Sequence, residues 1–138
     1  MQANGRKVLV ADDDTLIRKL LGDLLSFYGY DVDCVSNGKE AIALIETGSY
    51  DVLITDYMMP EMNGLEVLDK LKLDPEAKKI PVVVLTNLAG GQDAEIALSK
   101  GAVKYIVKSE YEPKQIANMI KEVLAGYTRD VVPQAAVN

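Results

Sequence analysis

Short apolar runs alternate along the chain with longer segments in which apolar residues recur every three or four positions. A short apolar run is typical of a buried strand, and the three-to-four spacing indicates a helix that buries one face. Most of the runs are continuously apolar, which is characteristic of parallel strands covered on both faces. The predicted strands, in chain order, are Val8–Ala11, Asp31–Val35, Val52–Thr55, Val82–Leu85 and Tyr105–Val107.

An amphipathic helix is predicted after each strand. The first carries the stripe Ile17, Leu20, Leu21, Leu24 and Leu25 and is followed by Gly29, a typical helix stop. The fourth, near Gln92–Lys100, is weakly patterned, and the last begins near Pro113. Repeated strand–helix units with right-handed crossovers predict an α/β fold: a doubly wound five-stranded parallel sheet, (βα)5 and flavodoxin-like, with strand order 2-1-3-4-5.

Length and charge restrict the kinds of protein this chain can be. Its 138 residues fit one domain, predicted at 6–125, with 126–138 as a C-terminal tail or a truncated linker. The formal charge of −6 argues against nucleic-acid binding by this segment. No run is long enough to cross a membrane and no signal peptide is evident, so we expect a cytoplasmic location. Cys34 is the single cysteine, and its apolar neighbours predict a core or half-buried position.

Residues suited to phosphoryl chemistry follow the apolar runs. Asp12 and Asp13 follow the first run, and Asp56 follows the third. Thr86 and Lys108 follow the fourth and fifth. The carboxyl ends of parallel strands meet at one edge of the sheet, where ligands of open α/β sheets bind. We therefore expect all five side chains to share one site.

A cluster of three carboxylates is costly unless a cation neutralises it. Hard oxygen ligands suit Mg²⁺, and the chain contains no histidine. Thr86 and Lys108 could hold the oxygens of a phosphoryl group on Asp56. The acidic residues could instead be turn formers, and for Asp14 a helix N-cap is the favoured interpretation.

The chain as a whole resembles the receiver domain of two-component response regulators, including the stand-alone chemotaxis type. The resemblance covers about residues 6–125. It is carried by four segments: Val8–Asp13, Asp51–Gly64 with its specific run Asp-Tyr-Met-Met-Pro-Glu-Met-Asn-Gly, Val83–Asn87 and Gly101–Lys108.

The resemblance implies a role for each matched residue. Asp56 would be the phosphoacceptor, and Asp12, Asp13, Asp56 and the backbone carbonyl of Met58 would bind Mg²⁺. Thr86 and Lys108 would contact the phosphoryl group, and Tyr105 would be an aromatic switch residue moving with Thr86.

The resemblance also implies partners. A sensor histidine kinase or phosphotransfer protein would donate the phosphoryl group, and a downstream protein or an effector domain missing here would read the switched surface of the fourth helix, fifth strand and fifth helix. A phosphorylation-linked homodimer is open as well. The resemblance implies that the chain is not an enzyme but a phosphoacceptor signalling domain, which would catalyse only its own phosphorylation and dephosphorylation. The chain departs from the family where Ser109 stands in place of a proline and Asn87 in place of a smaller residue.

Two alternatives remain at this point. One is a protein-interaction module that works without phosphorylation. The other is a haloacid-dehalogenase-type phosphatase, because Asp12–Asp14 after a strand is similar to that family's Asp-x-Asp motif. Leu16 stands where that family has threonine or valine, and the motif would leave Asp56 unexplained.

Overall fold

The computed structural model describes residues 6–126, which form alternating strands and helices. The strands are β1 Lys7–Ala11, β2 Asp31–Val35, β3 Val52–Thr55, β4 Val82–Thr86 and β5 Lys104–Val107. The helices are α1 Thr15–Phe27, α2 Gly38–Thr47, α3 Gly64–Lys72, α4 Gly91–Ser99 and α5 Pro113–Gly126. Short 3₁₀ turns, Ala77–Lys79 and Lys108–Glu110, lead into β4 and follow β5.

The sheet is parallel throughout, and its order β2-β1-β3-β4-β5 confirms the predicted fold class and strand order. Its register aligns the strand ends that matter for the site. Ala11 pairs with Thr55, so the residues that follow, Asp12 and Asp56, leave the sheet at the same level. On the other side Thr86 pairs with Val107, one residue before Lys108.

The core has two halves, one on each face of the sheet. Alternate residues of a strand point to opposite faces, and β1 divides in this way: Val8 and Val10 face α1 and α5, whereas Leu9 and Ala11 face α2, α3 and α4. The first half is built mainly from large aliphatic residues such as Leu25 and Ile120. The second half contains smaller residues as well.

Local signals place the helices that border the site. The side chain of Asp14 accepts hydrogen bonds from the backbone N–H groups of Leu16 and Ile17, which confirms it as the N-cap of α1. At α3, Asn63 and Glu66 form a reciprocal capping box that fixes the start of the helix. Gly29, with φ of 96°, follows α1 in the left-handed region where glycine is favoured.

The prediction for Cys34 was wrong, because its side chain is exposed. β2 is an edge strand with a single neighbour in the sheet, so apolar flanking residues do not ensure burial there. No helix within residues 6–126 is long and apolar enough to span a membrane. The proposed tail lies outside the described residues except for Gly126, which ends α5, and the boundary at 125 stays a prediction.

Candidate functional site

Three carboxylates meet at the carboxyl edge of the sheet. Oxygen atoms of Asp12, Asp13 and Asp56 lie within 4.8 Å of one another. Asp12 and Asp56 are buried because they continue β1 and β3, which are inner strands of the sheet, whereas Asp13 is exposed. The structure thus brings together the three acids that the strand pattern predicted to be neighbours.

Lys108 joins this cluster from the end of β5. Its Nζ lies 2.8 Å from Oδ2 of Asp12 and 3.3 Å from Oδ2 of Asp56. The side chain of Lys108 is only 9% exposed, so its ion pairs are poorly screened by solvent. Burial by itself would lower the pKa of Lys108, but the contacts with Asp12 and Asp56 outweigh it and raise the pKa. Lys108 is therefore held as a cation against the two buried acids.

Asp12 is the most constrained of the acids. Its Oδ1 accepts a hydrogen bond of 2.9 Å from the backbone N–H of Asp14. Its Oδ2 receives no aligned hydrogen bond and has the ion pair with Lys108 as its contact. Burial raises the pKa of Asp12 to about 6, with the nearby charge of Asp56 acting in the same direction against the lowering effect of Lys108. The ion pair with Lys108 therefore only partly offsets the effect of burial on this carboxylate.

The donor set fits a hard cation. Every side-chain ligand in the cluster is a carboxylate oxygen, and such ligands suit Mg²⁺, Ca²⁺ or Mn²⁺ better than the softer metals. The excess of negative charge and the buried Oδ2 of Asp12, without an aligned donor, point the same way. The cluster could therefore hold a divalent metal ion.

Thr86 and Tyr105 border the cluster from β4 and β5. Thr86 is buried at the end of β4, and its Oγ1 lies 3.4 Å from the backbone N of Leu88. The hydroxyl of Tyr105 donates to the carbonyl oxygen of Leu88 at 2.8 Å, and its ring packs edge-on against Tyr57. Both residues thus contact the β4–α4 loop at Leu88: Thr86 is near its backbone N–H, and Tyr105 bonds to its carbonyl oxygen. Burial raises the pKa of Tyr105 to about 12, with Asp93 the next cause.

The loop after β3 packs its backbone closely around Asp56. The N–H of Met58 donates to Oδ1 of Asp56 at 3.3 Å, while the Met58 side chain points into solvent. The N–H of Gly64 donates to the carbonyl of Tyr57 at 2.9 Å. A Cβ at Gly64 would collide with the carbonyl oxygen of Asp56. Only glycine fits where α3 begins, a constraint that the sequence pattern alone does not reveal.

The phosphatase alternative loses its second acid in this geometry. The carboxylate of Asp14, the second acid of the Asp-x-Asp motif, caps α1 by accepting hydrogen bonds of 2.9 and 3.3 Å from the N–H groups of Leu16 and Ile17. The charged side chains that lie together are instead Asp12, Asp13, Asp56 and Lys108, which follow β1, β3 and β5.

Comparisons with known proteins agree with this geometry. The sequence model described as "Response regulator receiver domain" matches residues 8–121. The chain is 37% identical over 120 residues to "Chemotaxis protein CheY1" of Helicobacter pylori, a match that covers 86% of this chain and 96% of that protein. It is 38% identical over 118 residues to "Probable transcriptional regulator ycf27" of Guillardia theta, covering 86% of this chain and 45% of that protein.

The fold comparison gives the same result. The structure superposes on the chemotaxis response regulator CheY4 of Vibrio cholerae with a TM-score of 0.81 and 29% identity, covering 88% of this chain and 100% of the other. The chain spans about half or less of the length of several curated relatives that it matches.

Proposed function

The chain belongs to the response regulator receiver domain family, and on that premise we propose that Asp56 is its phosphoacceptor. The observation that carries the proposal is the position of Asp56: its carboxylate lies within 4.8 Å of those of Asp12 and Asp13, and its Oδ2 is 3.3 Å from Nζ of Lys108. Receiver domains are signalling modules that interact with kinases and downstream effectors. We place this one in the cytoplasm, with a sensor histidine kinase or a phosphotransfer protein as the donor.

In the proposed reaction, an oxygen of the Asp56 carboxylate attacks the phosphorus of a phosphohistidine or of a small acyl phosphate. The new bond joins that oxygen to phosphorus, and the bond from phosphorus to the donor's nitrogen or oxygen breaks. Mg²⁺ bound by Asp12, Asp13, Asp56 and the carbonyl of Met58 would supply charge neutralisation for the transferring group.

The residues around Asp56 have separate tasks in this proposal. Lys108 already lies within 3.3 Å of Asp56, so it would pair with the phosphoryl oxygens without a large movement. Thr86, buried at the end of β4, would donate its hydroxyl to the same group. To do so, the Thr86 hydroxyl would turn toward the phosphoryl group and away from the N–H of Leu88, which lies 3.4 Å from it in this structure.

The switch would then reach the surface through the β4–α4 loop. The hydroxyl of Tyr105 donates a hydrogen bond to the carbonyl of Leu88. A shift of this loop therefore changes the position in which the Tyr105 ring is most stable. Such coupling biases a two-state equilibrium. The surface formed by α4, β5 and α5 would be read by a downstream protein, by a further domain or by a second copy of the chain.

Intact mass after incubation with acetyl phosphate tests the proposal. We expect one added phosphoryl group in the presence of Mg²⁺, and none after chelation or in Asp56→Asn. Asp51→Asn is a matched control, because Asp51 lies at the opposite end of β3 and bonds to the backbone of Lys7. A phosphoryl adduct that persists in Asp56→Asn would overturn the assignment.

A further inference from the structure

Arg18 contacts the acidic loop through the backbone and not through the carboxylates. One guanidinium nitrogen, Nη1, donates to the carbonyl oxygen of Asp12 at 2.7 Å, and Nη2 donates to Oγ1 of Thr15 at 3.3 Å. The guanidinium therefore bridges the residue that precedes Asp13 and the residue that starts α1. The short bond to the Asp12 carbonyl is charge-assisted, which makes it stronger than an ordinary hydrogen bond, whereas the bond to Thr15 is longer and exposed.

The carbonyl that Arg18 binds lies where the strand pairing stops. The N–H of Asp12 still donates to the carbonyl of Val35 at 3.1 Å, but β1 and β2 end at the paired residues Ala11 and Val35. A buried carbonyl at the end of a ladder needs a donor from elsewhere. Arg18 supplies that donor from the second turn of α1.

Asp13 depends on this loop more than the other acids do. Within residues 6–126, no group donates a hydrogen bond to its carboxylate and no cation pairs with it, whereas Asp12 and Asp56 both contact Lys108. The backbone of Asp13 is therefore what keeps its side chain within reach of the other two acids. That backbone is fixed on one side by Asp12 and on the other by the cap of α1.

We propose that Arg18 is a positioning residue for the metal site, whose two bonds hold the loop so that Asp12 and Asp13 face the same cation as Asp56. The inference rests on the proposed function, since it concerns the Mg²⁺ that phosphorylation would require. Arg18 touches neither the cation nor the phosphoryl group and acts through the backbone of Asp12.

The direction in which Mg²⁺ affinity changes on replacing Arg18 distinguishes a positioning role from an effect of its charge alone. A guanidinium close to the acids repels a bound cation, so removing its charge alone would tighten Mg²⁺ binding. Removing a group that holds ligands in place weakens it, commonly by about tenfold or more for outer partners of metal ligands. The two explanations thus predict opposite changes in one measured quantity.

The test is the Mg²⁺ dissociation constant of the unphosphorylated protein, measured from NMR shifts of the Asp13 and Asp56 amides. We expect Arg18→Met to weaken binding by about tenfold, and Arg18→Lys to weaken it less. Lys19→Met is the matched control, because Lys19 is on the same helix, carries the same charge and pairs with Asp23 on the exposed face. It should leave the constant nearly unchanged.

A second readout separates positioning from loss of the fold. Phosphorylation by acetyl phosphate in Arg18→Met should recover toward the wild-type rate at saturating Mg²⁺, whereas a damaged site would stay slow. Unchanged or tighter binding in Arg18→Met overturns the inference, and if that variant does not fold, unchanged binding in Arg18→Lys does so. A wild-type protein that binds no Mg²⁺ would overturn the proposed function itself, with this inference.

Discussion

The absence of a side chain at Gly64 allows the start of α3 to pack directly against the backbone of Asp56. A methyl group there would meet the carbonyl oxygen of Asp56 and lie 3.2 Å from the Cα of Tyr57. Contacts this short with backbone atoms cannot be relieved by rotating a side chain. The start of α3 and the backbone position of Asp56, the proposed phosphoacceptor, are therefore coupled at this residue.

We predict that Gly64→Ala destabilises the protein by about 1–3 kcal/mol, the usual range for overpacking, and slows phosphorylation of Asp56. Urea denaturation and phosphorylation kinetics measure the two effects. Gly91→Ala is the control: a Cβ there meets nothing within 4 Å, and alanine in the first turn of α4 should be neutral or stabilising by up to about 1 kcal/mol. Equal behaviour of the two variants would contradict the steric explanation.

Asp12 gives a prediction in pH. Its pKa, raised to about 6 by burial, means that its carboxyl keeps a proton to a higher pH than an exposed aspartate does. Because Mg²⁺ binds the ionised carboxylate of Asp12, the affinity for Mg²⁺ should reach its maximum near pH 8 and fall as the pH drops through about 6. Carbon NMR of the Asp12 side chain checks this directly in metal-free protein. A midpoint near pH 4 would contradict it.

The residues of the site differ in how visible they are in the sequence. Asp12, Asp56, Thr86 and Lys108 could be predicted to be neighbours because each follows an apolar run and parallel strands end at one edge. The role of Arg18 could not be predicted, because its partner is a main-chain carbonyl, and such a contact does not depend on the type of the partner residue.

At the scale of elements, α4 is attached to the sheet more weakly than the other helices are. Ala97 is its one buried residue, whereas α5 buries Ile116, Ala117, Ile120, Val123 and Leu124. The weak periodicity of this segment in the sequence was therefore a reliable sign of shallow packing. Its start was predicted one residue late, since Gly91 already belongs to the helix.

We predict that backbone amides of α4 exchange with solvent at least about tenfold faster than those of α5, because opening α4 exposes little apolar surface. Hydrogen exchange followed by NMR measures both helices in one sample, so α5 serves as the internal control. Similar protection in the two helices would show that α4 is held by more than Ala97 and its loop contacts.

At the scale of the whole molecule, the formal charge of −6 includes three acids concentrated at one edge of the sheet. Lys108 is the one cation that pairs with them within the described residues, so the metal-free domain carries uncompensated repulsion there. The metal-free protein is therefore less stable than it would be without this acidic cluster, which attracts cations.

We predict that Asp13→Asn stabilises the metal-free protein by about 1 kcal/mol through relief of this repulsion, and that it abolishes most of the stabilisation Mg²⁺ gives the wild type. Thermal unfolding with and without Mg²⁺ checks both effects. Asp31→Asn, an exposed acid at the far end of β2, should change stability by less than about 0.5 kcal/mol and keep the Mg²⁺ effect. Loss of stability in metal-free Asp13→Asn would contradict the prediction.

The division of the core by the sheet has a consequence for how the protein can evolve. Tyr105, Leu88 and Ala97 pack on the face of α2, α3 and α4, whereas Ile106, next to Tyr105 in β5, packs with α1 and α5. Substitutions on the α1 and α5 face can therefore be selected for stability alone, while those around Tyr105 would, under the proposed mechanism, alter the signal as well. The signalling response could thus evolve through substitutions on the face of α2, α3 and α4, while the face of α1 and α5 keeps the fold stable.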